Sequence, residues 1–183
     1  RGNLHVRRRV QPRFSMAILA DPGDPTPPSD ARALQRFIRA AENHSIEAEI
    51  ITRDDYGSLA EYDALFIRTT TVVNNYTFRF SRRAQSEGMV VIDDPDSIVR
   101  CANKVFLAEL FERNHIPAPK TVIVHKENKN LVLMQLGLPC ILKQPDSSFS
   151  QGVIKVKTTE EYEAAIDQLL DKSDMIIAQE FVP

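Results

Sequence analysis

Short apolar runs alternate with amphipathic stretches along the first half of the chain. Ser15-Met16-Ala17-Ile18-Leu19-Ala20 reads as a buried strand and runs into a turn rich in Pro, Asp and Gly from Asp21 to Pro28. Leu34, Phe37, Ile38 and Ala41 then recur at helical spacing, which predicts a helix over about residues 30–44 with Ser29 as its N-cap. Glu47 to Thr52 and Asp63 to Arg68 read as two more strands. Tyr76 to Glu87 reads as a polar-faced helix closed by Gly88, and Met89 to Ile92 as a fourth strand. Asp96 or Ser97 caps the next predicted helix, which carries Val99, Phe106, Leu107, Leu110 and Phe111 and runs from Ile98 to about His115. Ile116-Pro117-Ala118-Pro119 ends it, because neither proline can continue the hydrogen-bond ladder.

The pattern changes after that Pro-containing segment, where the domain boundary is expected. Lys120 to His125 reads as a strand, and Lys129 to Leu136 as a short helix ended by Gly137. Cys140 to Lys143 and Val153 to Lys157 form a predicted hairpin around a Ser/Gly-containing loop. Thr158 and Glu161 suggest a capping box, followed by a helix carrying Tyr162, Ile166, Leu169 and Leu170. Met175 to Gln179 is the last predicted strand.

Alternation of short apolar strands with helical crossovers predicts an α/β fold with a mostly parallel sheet covered on both faces. Such sheets bind ligands beyond the carboxyl ends of their strands, where Asp21, Arg68, Thr69 and Asp93 fall. The second region is expected to be an α+β lobe with antiparallel pairing. No GxGxxG and no Walker A loop occurs, so a Rossmann dinucleotide fingerprint is excluded.

Composition narrows the function classes further. The chain has 183 residues with 43% hydrophobic and 26% charged residues, ordinary for a globular protein. A net charge of -2 argues against a nucleic-acid partner. The basic stretch His5-Val6-Arg7-Arg8-Arg9 in residues 1–14 reads as a solvated tail, with a phosphate or carboxylate-rich partner as the alternative. Cys101 and Cys140 stand alone, in neither a disulfide framework nor a zinc pattern, which suits a reducing cytoplasm. No run approaches the roughly 20 apolar residues a membrane helix needs.

Two lysines stand out. Lys104 lies early in an apolar helix, and Lys143 ends an apolar strand just before the loop Gln144 to Gly152. Lysine brings a compact charge on a flexible stem to a phosphate. Small residues such as Ser147, Ser148, Ser150 and Gly152 let backbone N–H groups approach the same oxygens. The plainer alternatives are a solvated lysine at a hairpin edge for Lys143 and a surface lysine on a polar helix face for Lys104.

The run Asp94-Pro95-Asp96-Ser97-Ile98-Val99-Arg100-Cys101-Ala102-Asn103-Lys104 through Ile116-Pro117-Ala118-Pro119-Lys120-Thr121 resembles the linker of ATP-grasp enzymes. Ile141-Leu142-Lys143 with its loop to Gly152-Val153, and Gln179-Glu180-Phe181-Val182, resemble two further motifs of that superfamily. The nearest subgroup is the RimK-like ligases, related to glutathione synthetase and D-alanine–D-alanine ligase. The resemblance implies a Rossmann-like pre-ATP-grasp domain over residues 15–118 and an ATP-grasp N-terminal lobe over 119–183. It implies that Lys104 and Lys143 contact ATP phosphates and that Ser147, Ser148, Ser150 and Gly152 belong to a flap over them. Gln179, Glu180 and Val182 match the strand that meets adenine, largely through its backbone. Arg68, with Thr69 beside it, falls where relatives contact substrate. Tyr62 to Arg68 also resembles a strand of the family's N-terminal domain. Pro145 and Phe149 depart from the glycine-rich flap of the family.

The implied activity is that of an ATP-dependent carboxylate–amine (or thiol) ligase acting through an acyl phosphate, such as one adding glutamate to a peptide or small molecule. The partners are then ATP and a carboxylate/amine pair, with a homo-oligomer compatible. The alternative is a non-catalytic, ATP-binding or scaffolding relative. The family's magnesium ligands come from a lobe following the adenine strand, so they are expected beyond Pro183, and residues 1–183 alone are expected to be inactive. Asp93, Asp94 and Asp96 are better explained by strand-end and N-cap positions than as metal ligands.

Overall fold

In the computed structural model, which describes residues 12–145 and 152–183, the chain divides into two compact units on either side of Val99 and Arg100. The expected boundary at residues 118/119 lies further along. The difference is a helix, Lys104–Arg113, that packs against a strand of the second unit.

The first unit is built from β1 (Phe14–Leu19), α1 (Ala31–Asn43), β2 (Ile46–Ile51), a 3-10 segment (Arg53–Glu61), β3 (Ala64–Ile67), α2 (Tyr76–Ser86) and β4 (Val90–Ile92). The four strands form one parallel sheet in the order β2-β1-β3-β4. One face, carrying Ala17, Leu19, Ile51, Leu65 and Ile67, packs on Leu59, Phe80 and Ala84. On the other face the Phe37 ring of α1 meets Phe66 edge-on, with centroids 5.1 Å apart.

Local chemistry departs from the sequence expectation at several helix ends. Asp30, not Ser29, caps α1 and accepts from the Ala33 N–H at 2.7 Å. The 3-10 segment was not expected; a complete capping box holds its start, with Thr52 and Asp55 exchanging hydrogen bonds. Asp94 caps α3 (Pro95–Ala102), accepting from the Ser97 N–H at 3.0 Å and its hydroxyl at 2.5 Å. Pro95 thus opens the helix at the position where a missing N–H costs nothing. The bonds from Ser97 hold the Asp94 carboxyl below its ordinary range.

The helix expected over 98–115 is two helices. Asn103 takes an extended conformation (φ -103°, ψ 120°), and its side chain accepts from the N–H groups of Val105 and Phe106. It ends α3 and starts α4 (Lys104–Arg113). Asn is among the best N-caps, and its side-chain bonds compete with helical ones, so apolar periodicity runs through a real break.

The second unit continues with β5 (Thr121–Val124), a 3-10 turn (Lys129–Leu131) running into α5 (Val132–Leu136), β6 (Cys140–Lys143), β7 (Val153–Val156), α6 (Thr159–Leu170) and β8 (Ile176–Glu180). Its antiparallel sheet has the order β5-β8-β6-β7. Val124, Leu142, Val156, Ile176 and Ala178 face a core closed by Tyr162, Ile166, Leu169 and Leu170 of α6. The Thr158–Glu161 box is half formed: Thr158 accepts from the Glu161 N–H, but the Glu161 carboxylate accepts from Lys157 rather than from the cap residue. Strand alternation puts Thr121, Ile123, Ile141, Lys143, Ile177 and Gln179 on the opposite face.

Candidate functional site

That opposite face lines a cleft of about 740 Å³ that lies wholly within the second unit. Leu107, Ala108 and Phe111 of α4, with Ile116, Ala118, Ile123 and Ile177, give it apolar walls. Lys104, Lys120, Lys143, Thr121, Gln135 and Gln179 place cations and hydrogen-bonding groups among them, and Glu109 and Glu112 stand on the same lining. An apolar slot with a few convergent polar groups is the usual form of a small-molecule site.

Lys143 is positioned by β6, whose preceding residue Leu142 is fully buried. Its ammonium donates to Gln179 Oε1 at 2.6 Å. Gln179 Nε2 donates to Thr121 Oγ1 at 2.9 Å, and the Thr121 hydroxyl donates to the Pro119 carbonyl at 2.7 Å. The link crosses three strands. Gln179 stands opposite Thr121 on one side and Ile141 on the other, so Lys143 reaches it diagonally.

Lys104 is the first residue of α4. Its backbone N–H and its ammonium both donate to the Pro145 carbonyl, at 3.1 and 3.3 Å. The segment that follows Lys143 is therefore tied to the start of α4. Ser147, Ser148 and Ser150 lie outside the described residues. Gly152 closes the segment with φ +70°, and its carbonyl accepts from the Gln144 N–H at 3.3 Å. A Cβ there would stand 3.0 Å from Gln144 Oε1, so both backbone and space favour glycine.

At the end of β8, Glu180 is used structurally. Its N–H donates to the Lys120 carbonyl at 2.9 Å, and its carboxylate accepts from the Lys120 N–H at 2.6 Å. Lys120 sends its ammonium to the Gln135 carbonyl at 2.8 Å. Lys155 sits over the Phe181 ring, 3.2 Å from its centroid, and Val182 is 60% exposed. Sequence reasoning missed Thr121, Lys120 and the Lys155–Phe181 contact. Strand alternation from Gln179 would have put Thr121 on the lysine face, but only once the β5–β8 pairing was known.

In the first unit, Arg68 and Thr69 follow β3. The Arg68 guanidinium donates to Ser29 Oγ and the Pro28 carbonyl and lies 5.5 Å from Phe37 and 5.4 Å from Phe66. Thr69 is buried. Among the described residues no three His, Cys, Asp or Glu side chains are grouped so as to hold a metal ion. No helix among them is long and apolar enough to cross a membrane.

Residues 101–183 match the model of the RimK-like ATP-grasp domain. The chain is 25% identical over 126 residues to a probable alpha-L-glutamate ligase of Shewanella halifaxensis, covering 68% of this chain and 28% of that protein. It is 34% identical over 92 residues to the alpha-aminoadipate–LysW ligase LysX of Saccharolobus solfataricus, covering 50% of this chain and 33% of that one. The chain thus spans about a third or less of the length of these relatives. Among solved structures, a RimK domain ATP-grasp protein of Sphaerobacter thermophilus superposes with a TM-score of 0.70 at 18% identity, over 92% of this chain and 64% of that one.

Proposed function

We propose that this chain, whose residues 101–183 match the RimK-like ATP-grasp domain, is the nucleotide-binding portion of an ATP-dependent carboxylate–amine (or thiol) ligase. The observation that carries the reading is the cleft itself: Lys104 and Lys143, from a helix start and a strand end, line one slot whose remaining walls are largely apolar. A purine suits the apolar part, and a polyphosphate suits the two ammonium groups. ATP, when bound, would pass its terminal phosphoryl group to a carboxylate oxygen and leave as ADP, so that an amine or thiol could attack the activated acyl carbon and expel inorganic phosphate.

The residues here bind and orient. Lys143 and Lys104 neutralise phosphate charge, and positioning with charge neutralisation is the main protein contribution in phosphoryl transfer. The chain end that follows Gln179, at Glu180 and Val182, forms the edge toward adenine. The named relatives are a probable alpha-L-glutamate ligase and an alpha-aminoadipate–LysW ligase, which favours an amino-acid acyl donor or acceptor as the substrate class. Arg68 and Thr69 are offered as the substrate-side groups of the first unit. We place the activity in the cytoplasm, in keeping with two free cysteines. The described residues do not fit a magnesium site.

Calorimetric titration of the full-length protein with ATP tests the reading. Lys143→Ala should weaken binding about tenfold or more, as expected for a lost charge-assisted bond, and Lys104→Ala less. Equal affinity in Lys143→Ala and the parent would refute the assignment.

A further inference from the structure

The hydrogen bonds around Gln179 can be oriented without ambiguity. An ammonium only donates, so the atom facing Lys143 is the amide oxygen of Gln179. The Thr121 hydroxyl has a single hydrogen, which the Pro119 carbonyl takes, so its oxygen accepts from Gln179 Nε2. Both ends of the Gln179 amide are therefore fixed, and its Oε1 is held toward Lys143 from a side chain that is itself half-buried.

We infer that Gln179 is a positioning residue for Lys143: its amide, clamped by Thr121, presents the lysine ammonium to the nucleotide's phosphates, and Gln179 itself need not touch the nucleotide. A lysine donates three hydrogens, so a bond to Gln179 leaves two for phosphate oxygens. A free lysine side chain carries substantial rotamer entropy. Restraining it before the ligand arrives removes part of the ordering cost from binding. This role is separate from a place on the adenine-facing edge, which would make Gln179 a direct contact. The inference rests on the ATP-binding reading above.

A double-mutant cycle in ATP affinity, measured by calorimetry on the full-length protein, separates the possibilities. Gln179→Leu should weaken ATP about three- to ten-fold, the scale of ordering one long side chain. The same change in a Lys143→Ala background should cause no further loss. If Gln179→Leu fails to fold by thermal melting, Gln179→Asn replaces it in the cycle, since it shortens the reach toward Lys143 while keeping an amide. An unchanged affinity in the single variant overturns the inference. So does an equal fractional loss with and without Lys143, which would make Gln179 a direct nucleotide contact. Absence of ATP binding by the parent protein would remove the ATP-binding reading and this inference together.

Discussion

Arg68 Nε donates to Ser29 Oγ at 2.8 Å, joining the end of β3 to the residue just before the α1 cap. The guanidinium continues to the Pro28 carbonyl and packs near two aromatic rings. Arg68→Ala should destabilise the first unit by about 2–3 kcal/mol, the sum expected for a charged hydrogen bond and a partly desolvated cation–π contact. Arg68→Lys should recover only part, because an ammonium lacks the planar fork. Urea unfolding followed by far-UV dichroism reads this, and an unchanged midpoint in Arg68→Ala would contradict it.

Asp94 gives a pH-dependent effect with a defined sign. Its bonds from Ser97 hold its folded pKa below the ordinary value of 3.8. The stabilisation is therefore present above that value and is lost as pH falls through the lower, folded one. Asp94→Ala should cost about 1 kcal/mol at neutral pH, as caps generally do. The gap from the parent should narrow below pH 3.8. Paired denaturation curves at pH 7 and at pH 3 measure it; a gap that stays constant counts against the cap.

Asn103 separates α3 from α4 and satisfies two N–H groups at the start of the latter. Asn103→Ala should cost about 1 kcal/mol, and Asn103→Asp or Asn103→Ser much less. If the alanine variant were the most stable of the set in thermal melts, the two-helix description would fail.

Thr121 is the far anchor of the lysine-side network. Thr121→Val keeps the shape but leaves Gln179 Nε2 without its acceptor and the Pro119 carbonyl without its donor. A loss of about 1–2 kcal/mol is expected, whereas Thr121→Ser should stay within about 0.5 kcal/mol of the parent. Guanidinium titrations of the three proteins decide it; equivalent losses for Val and Ser would assign the effect to packing and not to the hydroxyl.

The order and approximate extent of the strands could be read directly, because each is a short apolar run bounded by turn residues. Leu34, Phe37 and Ile38 likewise announced α1. What escaped was set by choices between adjacent polar residues. Ser29 and Asp30 are both good caps, and only the position of Arg68 explains why Ser29 is occupied elsewhere. Apolar spacing runs through Asn103 without a sign of the break. For the cleft, Lys104 and Lys143 stood out by their place at element ends, and Gln179 entered through family resemblance. The Gln179–Thr121 contact depends on strand pairing between residues 58 positions apart, which no local pattern encodes.

The alternation of the second sheet has a consequence for how this chain can change over time. Leu142 and Ala178 face the core while their immediate neighbours Lys143 and Gln179 face the cleft. Stability and ligand chemistry are thus interleaved like two messages in a single reading frame. Substitutions can edit one message and spare the other. A one-residue insertion or deletion within β6 or β8 would garble both at once, turning a lysine into the core and a leucine into the cleft. Length variation should therefore be found between these strands and not inside them.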